Sequence, residues 1–189
     1  MQKVPTSAVI ICPPKEKWAP IQEIRKIYDR HVDRWMPHIT VLYPFRPEEY
    51  FTELEMEFLK ICSKINPFRI SLKEFHYFHH GKGSYTIWLK PEPMENIIKL
   101  QSKLQDLVPD CNDVSKFKKG YVPHLSVGQF KGPAKKLNAF LENLQSNWNP
   151  INFMVKSIFF IARKPFKNSK FTIKKKILLG KEKHAPFSN

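Results

Sequence analysis

The sequence predicts an α+β fold of two pseudo-symmetric lobes, each an antiparallel sheet with helices on its outer face, around a central cleft. Three observations carry this. β-rich runs and amphipathic runs alternate in two strand–helix–strand–helix–strand passes, about residues 6–78 and 84–180. The passes match in organisation on a period of about 85 residues. No low-complexity linker separates them, so they read as two lobes of a single domain, residues 1–189. A chain of 189 residues buries roughly 70% of its unfolded surface and needs no covalent staple.

The elements follow in order. Thr6 to Cys12 is a short buried strand, ended by Pro13-Pro14. Trp18 to Val32 carries Ile21, Ile24, Ile27 and Tyr28 at helical spacing. His38 to Leu42 is a strand between Pro37 and Pro44. Pro47 opens a helix to about Ile65, with Glu48 and Glu49 favourable in its first turn. Phe68 to Phe78 is a strand, and Gly81-Lys82-Gly83 a turn. Ser84 to Leu89 is a strand with Tyr85, Ile87 and Leu89 on one face. Pro91 to Val108 is a helix, Lys116 to Gly120 a basic loop, and Pro123 to Val127 a strand. Ala134 to Leu144 is a helix, and Phe153 to Ile161 and Lys170 to Leu179 form a hairpin.

Composition narrows the function classes. Hydrophobic residues are 42% and aromatics 13%, which excludes an intrinsically disordered chain. No apolar run reaches the roughly 18–20 residues of a membrane span, and the N-terminus lacks the charged and apolar regions of a signal peptide. Cys12, Cys62 and Cys111 are odd in number and widely spaced, which argues against a disulfide framework or structural zinc and for a reducing intracellular compartment, cytoplasmic or nuclear. The 32 Lys+Arg against 17 Asp+Glu give a net charge of +15. That charge attracts polyanions, nucleic acid first, although a lysine-rich surface also serves solubility alone.

One motif occurs twice. Met36-Pro37-His38-Ile39-Thr40-Val41 and Val122-Pro123-His124-Leu125-Ser126-Val127 are each Pro-His-apolar-hydroxyl-apolar, at the same place in each pass. On a strand, residues two apart share a face. His38 and Thr40 therefore point one way, as do His124 and Ser126. Packed about a pseudo-two-fold axis, the two pairs converge on one cleft. Two imidazoles suit phosphoryl chemistry: a neutral one takes a proton from the attacking hydroxyl, and a protonated one gives a proton to the leaving oxygen. With pKa values near the ordinary 6.5, both forms coexist near neutrality and the pH–rate profile is bell-shaped. The hydroxyls of Thr40 and Ser126 are the phosphate-binding groups. The chemistry needs no metal and no cofactor.

On these residues the chain resembles the 2H phosphoesterase superfamily, the RNA 2′,5′-ligase-like or cyclic phosphodiesterase family. Its hallmark is a pair of H-x-[TS]-apolar motifs, here His38-Ile39-Thr40-Val41 and His124-Leu125-Ser126-Val127. The strings PHITVLYPF (37–45) and PHLSVGQF (123–130) point to a eukaryotic branch, which includes the 2H domain of leukocyte receptor cluster member 9. The resemblance implies a bilobal fold with both motifs in the cleft. It implies metal-free action on 2′–5′ linkages or 2′,3′-cyclic phosphates of RNA or nucleotides. His38 and His124 would be the acid/base pair, with the roles not apportioned. Some members carry an arginine where this chain has Gln129, which departs from that cationic contact.

Further residues are candidates for substrate contact. Tyr43, Phe45, Tyr85 and Phe130 could stack on bases, and Arg46 and Lys118 could meet phosphates. Tyr77 and Trp88 border the same strands and read mainly as core. His76, His79 and His80 lie close together but lack a ligand set, and adjacent His79 and His80 face opposite ways. Arg163, Lys164, Lys167 and Lys170 form one basic cluster and Lys174, Lys175 and Lys176 another; either edges the cleft or is simply solvated. His31 and His184 carry no pattern. The expected partners are RNA or a nucleotide, with no membrane, no obligate protein partner and a monomeric state. The leading reading is hydrolysis of a cyclic phosphate or a 2′–5′ phosphodiester. A catalytically idle RNA-binding module and an RNA 2′–5′ ligase are the alternatives.

Overall fold

The computed structural model describes residues 2–180. His184 lies outside them. Eight strands run β1 (Ser7–Ile11), β2 (Ile39–Leu42), β3 (Phe68–His79), β4 (Ser84–Glu92), β5 (Leu125–Lys131), β6 (Ile151–Val155), β7 (Ser157–Ala162) and β8 (Thr172–Leu178). Four helices are α1 (Trp18–Tyr28), α2 (Phe51–Cys62), α3 (Glu95–Gln105) and α4 (Ala134–Ser146). No described helix is long and apolar enough to cross a membrane.

All strand pairs are antiparallel, in the order β6-β3-β4-β5-β2-β1-β7-β8. The two expected sheets are thus four-stranded halves of one curled sheet, joined where β2 meets β5 through Ile39 and Leu125. The order of each half, read outward from this seam, is β2-β1-β7-β8 and β5-β4-β3-β6.

The halves do not coincide with the two passes of the sequence. β3 lies beside β4, in the second half, and the hairpin β7–β8 lies beside β1, in the first. The run read as a single strand, Phe153 to Ile161, is two strands. β6 pairs with β3, the chain turns at Lys156, and β7 pairs with β1. Lobe boundaries at 78 and 84 are corrected accordingly: residues 68–155 form one half, set between the two segments of the other.

Burial shows how the faces are used. Every residue of β1 is buried, because each face is covered. Val9 and Ile11 join the main core with Ile39, Val41, Leu125 and Val127, under Ile21 of α1, Phe58 of α2, Leu100 of α3 and Leu137 of α4. Ala8 and Ile10 point the other way, into a small second cluster with Ile161 and Phe171, against which Trp35, Met36 and Tyr43 pack. The helices therefore cover one face of the sheet. The motifs open on the other.

Candidate active site

Strand alternation places the four motif side chains. Ile39 and Leu125 point into the helix-covered core, so their neighbours His38, Thr40, His124 and Ser126 point to the open face. The antiparallel pairing of Ile39 with Leu125 brings the motifs side by side, head to tail. One step either way along this register sets His38 across from Ser126, and Thr40 across from His124. Thr40 and His124 accordingly line the same cavity, of about 240 Å³, with Tyr43, Pro44, Phe117 and Tyr121.

Each imidazole is held in the same way. Nδ1–H of His38 donates to the carbonyl of Met36 at 2.7 Å, and Nδ1–H of His124 to that of Val122 at 2.8 Å. A carbonyl only accepts, so Nδ1 carries the proton in the neutral ring. That leaves both Nε2 atoms as free bases. Pro37 and Pro123 set up this contact, since proline fixes the backbone just before each histidine.

The surroundings disfavour charge on these rings. Burial pushes the His38 pKa down to about 4; the Met36 carbonyl opposes this, while the Arg25 guanidinium and His124 add to it. Burial lowers His124 too, opposed by the Val122 carbonyl. The expectation of two histidines near 6.5 is therefore corrected: in the free protein both are neutral at pH 7. Arg25 is itself buried and bonded to Asp29 at 2.9 Å. Gln129 donates to Asp29 at 3.3 Å and accepts the Arg30 backbone N–H at 3.1 Å. The residue that departs from the family pattern thus helps fix the ion pair whose guanidinium acts on His38.

Rings hold the imidazoles from the sides. Trp35 stacks on His38 at 4.8 Å and on Phe171 at 3.7 Å. Phe78 meets His124 edge-on at 4.9 Å, and Trp88 stacks on Phe78 at 4.9 Å. Tyr121, buried, donates its hydroxyl to the Thr40 carbonyl at 2.6 Å and so ties the approach to one motif onto the other. Trp35, Phe78 and Tyr121 were not singled out by the sequence. One signal was available: Trp35 and Tyr121 are both aromatic three residues before a motif histidine.

The remaining candidates separate. Tyr43 is on the cavity wall, edge-on to Trp35. Lys118 is exposed on the loop beside Phe117 but does not line the cavity. Phe45 is fully buried among Phe51, Phe58 and Phe160, so it does not meet substrate. Arg46 is buried in a two-pronged ion pair with Asp110, and its charge is used structurally. Tyr85 is in the helix-side core. Phe130 lies with it, stacked on Phe140 of α4, so neither ring is a platform in the cleft. Of the histidine run, His80 bonds Thr86 at 2.9 Å, His76 bonds Glu74 at 3.2 Å, and His79 turns to stack on Tyr85. Among the described residues no three His, Cys, Asp or Glu side chains are grouped to hold a metal ion.

A larger groove, about 670 Å³, runs between α2 and β8 past Met56, Leu59 and Ile177. Lys174 and Lys175 on β8 are paired with Glu48 and Glu55, so that basic cluster is largely neutralised.

A family model described as the 2′-5′ RNA ligase superfamily matches residues 13–165. The chain is 30% identical over 122 residues to a protein of Geobacillus kaustophilus (strain HTA426) named as a phosphoesterase, covering 64% of this chain and 67% of that one. Among solved structures, TT0787 of Thermus thermophilus superposes with a TM-score of 0.63 at 20% identity, over 94% of this chain and 99% of that one. E. coli LigT complexed with 3′-AMP gives 0.63 at 15% identity, over 93% and 98%. At these identities the structural likeness is one of fold. These relatives are bacterial and lend no support to the eukaryotic branch.

Proposed function

The chain belongs to the 2′-5′ RNA ligase superfamily, and from that membership we propose a metal-independent phosphoesterase that opens 2′,3′-cyclic phosphates or cleaves 2′–5′ phosphodiesters at RNA ends or in nucleotides. The observation that carries the reading is the pair of free Nε2 atoms, each fixed by an Nδ1–H···O=C bond and each across the seam from the other motif's hydroxyl.

In this scheme the phosphate rests between the motifs. Thr40 and Ser126 donate hydroxyl hydrogen bonds to its non-bridging oxygens, which gain charge as water adds. His38 is the base: the Arg25 charge opposes its protonation and keeps Nε2 available. His124 is the acid. A bound phosphate anion favours the imidazolium, and His124 lacks the opposing guanidinium. Its Nε2–H passes to the leaving ribose oxygen as the P–O bond breaks, while the proton of the attacking water moves to His38. Run in the same direction with a 5′-hydroxyl end in place of water as the nucleophile, the same transfers would join ends.

LigT was crystallised with 3′-AMP, and by extension we take a 3′-phosphorylated nucleoside as a product-like ligand. The decisive experiment is product analysis with EDTA present, on adenosine 2′,3′-cyclic phosphate and a short 2′–5′ oligoadenylate. Native protein should turn over one of them, and a His38→Ala/His124→Ala protein neither. Full turnover by the double variant overturns the assignment.

A further inference from the structure

A depression of about 350 Å³ lies between the loop that leads into the first motif and the β7–β8 hairpin. Arg30 and Arg34 form one wall, and Lys167 and Lys170 the other, with Asp33 as the single acid and Ser169 at the base. Among the described residues none of these four cations forms an ion pair. Some lysines elsewhere are matched: Lys3 and Lys116 with Asp113, Lys174 with Glu48, Lys175 with Glu55. Four cations gathered around a single carboxylate repel one another, a cost that an anion relieves.

The depression is built rather than incidental. The Arg34 guanidinium donates to the Lys167 carbonyl at 3.1 Å, and the Phe171 N–H to the Arg34 carbonyl at 2.9 Å. Arg163 donates to the Lys164 carbonyl at 3.0 Å and to Ser169 Oγ at 3.2 Å, which braces the hairpin. These bonds cross-link the two walls.

Ring contacts link it to the motif histidines. Arg34 is followed by Trp35, whose ring stacks on His38. Phe171, which closes the hairpin, also stacks on Trp35 and carries the Arg163 guanidinium 5.5 Å from its ring centre. A strand leaving the histidines along this row of rings arrives at the cations.

We propose that this depression is a second phosphate site, which holds an internucleotide phosphate of a single-stranded RNA whose reacting phosphate lies between His38 and His124. The inference rests on the phosphoesterase reading and sharpens it: the substrate is an oligonucleotide, and a mononucleotide leaves half of the site empty. Backbone phosphates held by cations give binding that weakens steeply with salt.

The test measures binding, by fluorescence anisotropy for a labelled hexaribonucleotide with a 3′-phosphate and by calorimetry for 3′-AMP. Neither probe is turned over, so the result stands apart from catalysis. In Lys167→Ala/Lys170→Ala, hexanucleotide affinity should fall about tenfold at 100 mM salt, and its log–log salt slope should shrink by about 1.4, at roughly 0.7 for each lost contact. Affinity for 3′-AMP should stay within about twofold. Lys135→Ala/Lys136→Ala, on α4, should change neither. An unchanged hexanucleotide slope, equal weakening of both probes, or native protein that binds the hexanucleotide no better than 3′-AMP overturns the proposal. His38→Ala/His124→Ala separates the two readings: it should abolish turnover, and in that background Lys167→Ala/Lys170→Ala should still shrink the salt slope by about 1.4.

Discussion

Ile39 stands directly across the β2–β5 seam from Leu125, each the middle residue of its motif. The local two-fold axis of the antiparallel pair therefore runs through the centre of the active site. Each histidine stands across the seam from the hydroxyl of the opposite motif, so neither half of the sheet holds both members of a cross-strand histidine–hydroxyl pair.

This crossing predicts which side chains act together. Thr40→Val and Ser126→Ala should each lower kcat/KM by about 10²-fold, the order expected for a lost donor to a charged transition state. In double-mutant cycles on kcat/KM, His38 should couple more strongly to Ser126 than to Thr40, its own motif partner. Stronger coupling within each motif would contradict the register.

The pH dependence should sit on the acid side of neutrality. In the proposed scheme His38 acts neutral, which holds down to about pH 4. In the same scheme His124 acts protonated, and its pKa is lowered from 6.5. The kcat/KM profile, which reports the free enzyme, should be bell-shaped with its maximum below pH 6.5. The alkaline limb of kcat should lie higher, because bound phosphate favours the imidazolium. Steady-state rates from about pH 4 to pH 9 check both limbs.

Stability should fall on acidification for the same reason. Above pH 6.5 His38 is neutral folded and unfolded. Below it the unfolded chain takes up a proton that the folded one resists down to about pH 4. The loss should approach about 3 kcal/mol across that window. Urea unfolding at about pH 7.5, 5.5 and 4.5 measures it, and His38→Asn should flatten the slope.

Tyr121→Phe removes the bond to the Thr40 carbonyl. The expected cost is about 1 kcal/mol, with a Tm lower by roughly 2–4 °C. The seam should also loosen, so kcat should fall while KM changes little. Calorimetry and steady-state kinetics separate the two effects.

Gly128→Ala tests the contact of α1 with β5. An added Cβ would meet the Tyr28 Cβ at 2.5 Å and the Tyr28 carbonyl oxygen at 2.9 Å. No rotamer relieves a clash with backbone, so the substitution should cost about 1–3 kcal/mol. An unchanged unfolding midpoint would show that α1 moves freely over the sheet.

Much of this was legible in the sequence. The repeated motif gave the four side chains, and period-two alternation gave their common face. Alternation sets Tyr85 with Ile87 and Leu89, the face that proves to be covered by helices, so the expectation of Tyr85 as a base platform is reversed, while Trp88, read mainly as core, is buried as the ring beside Phe78 and His124. Phe130 misleads for a different reason. Counting by twos from His124 and Ser126 brings it to the open face, but a bulge intervenes. Trp88 pairs with Ser126 and Ile87 with Gly128, so Val127 is an extra residue that reverses the count. Arg46 illustrates a limit of distance: its partner Asp110 is 64 residues away, and nothing local announces the pair. The break at Lys156 is hidden similarly, because β6 and β7 are both apolar enough to read as one strand.

The break at Lys156 fixes an order of assembly during synthesis. Everything needed for β6-β3-β4-β5-β2-β1 has left the ribosome once Val155 is free, and only the outer edge of β1 waits for β7 and β8. The segment made first is completed last. Until then β1 exposes an unpaired edge of five apolar-rich residues, open to pairing with other chains. A chain stopped after residue 156 should therefore still carry the partners of both motif strands and aggregate through the open edge of β1.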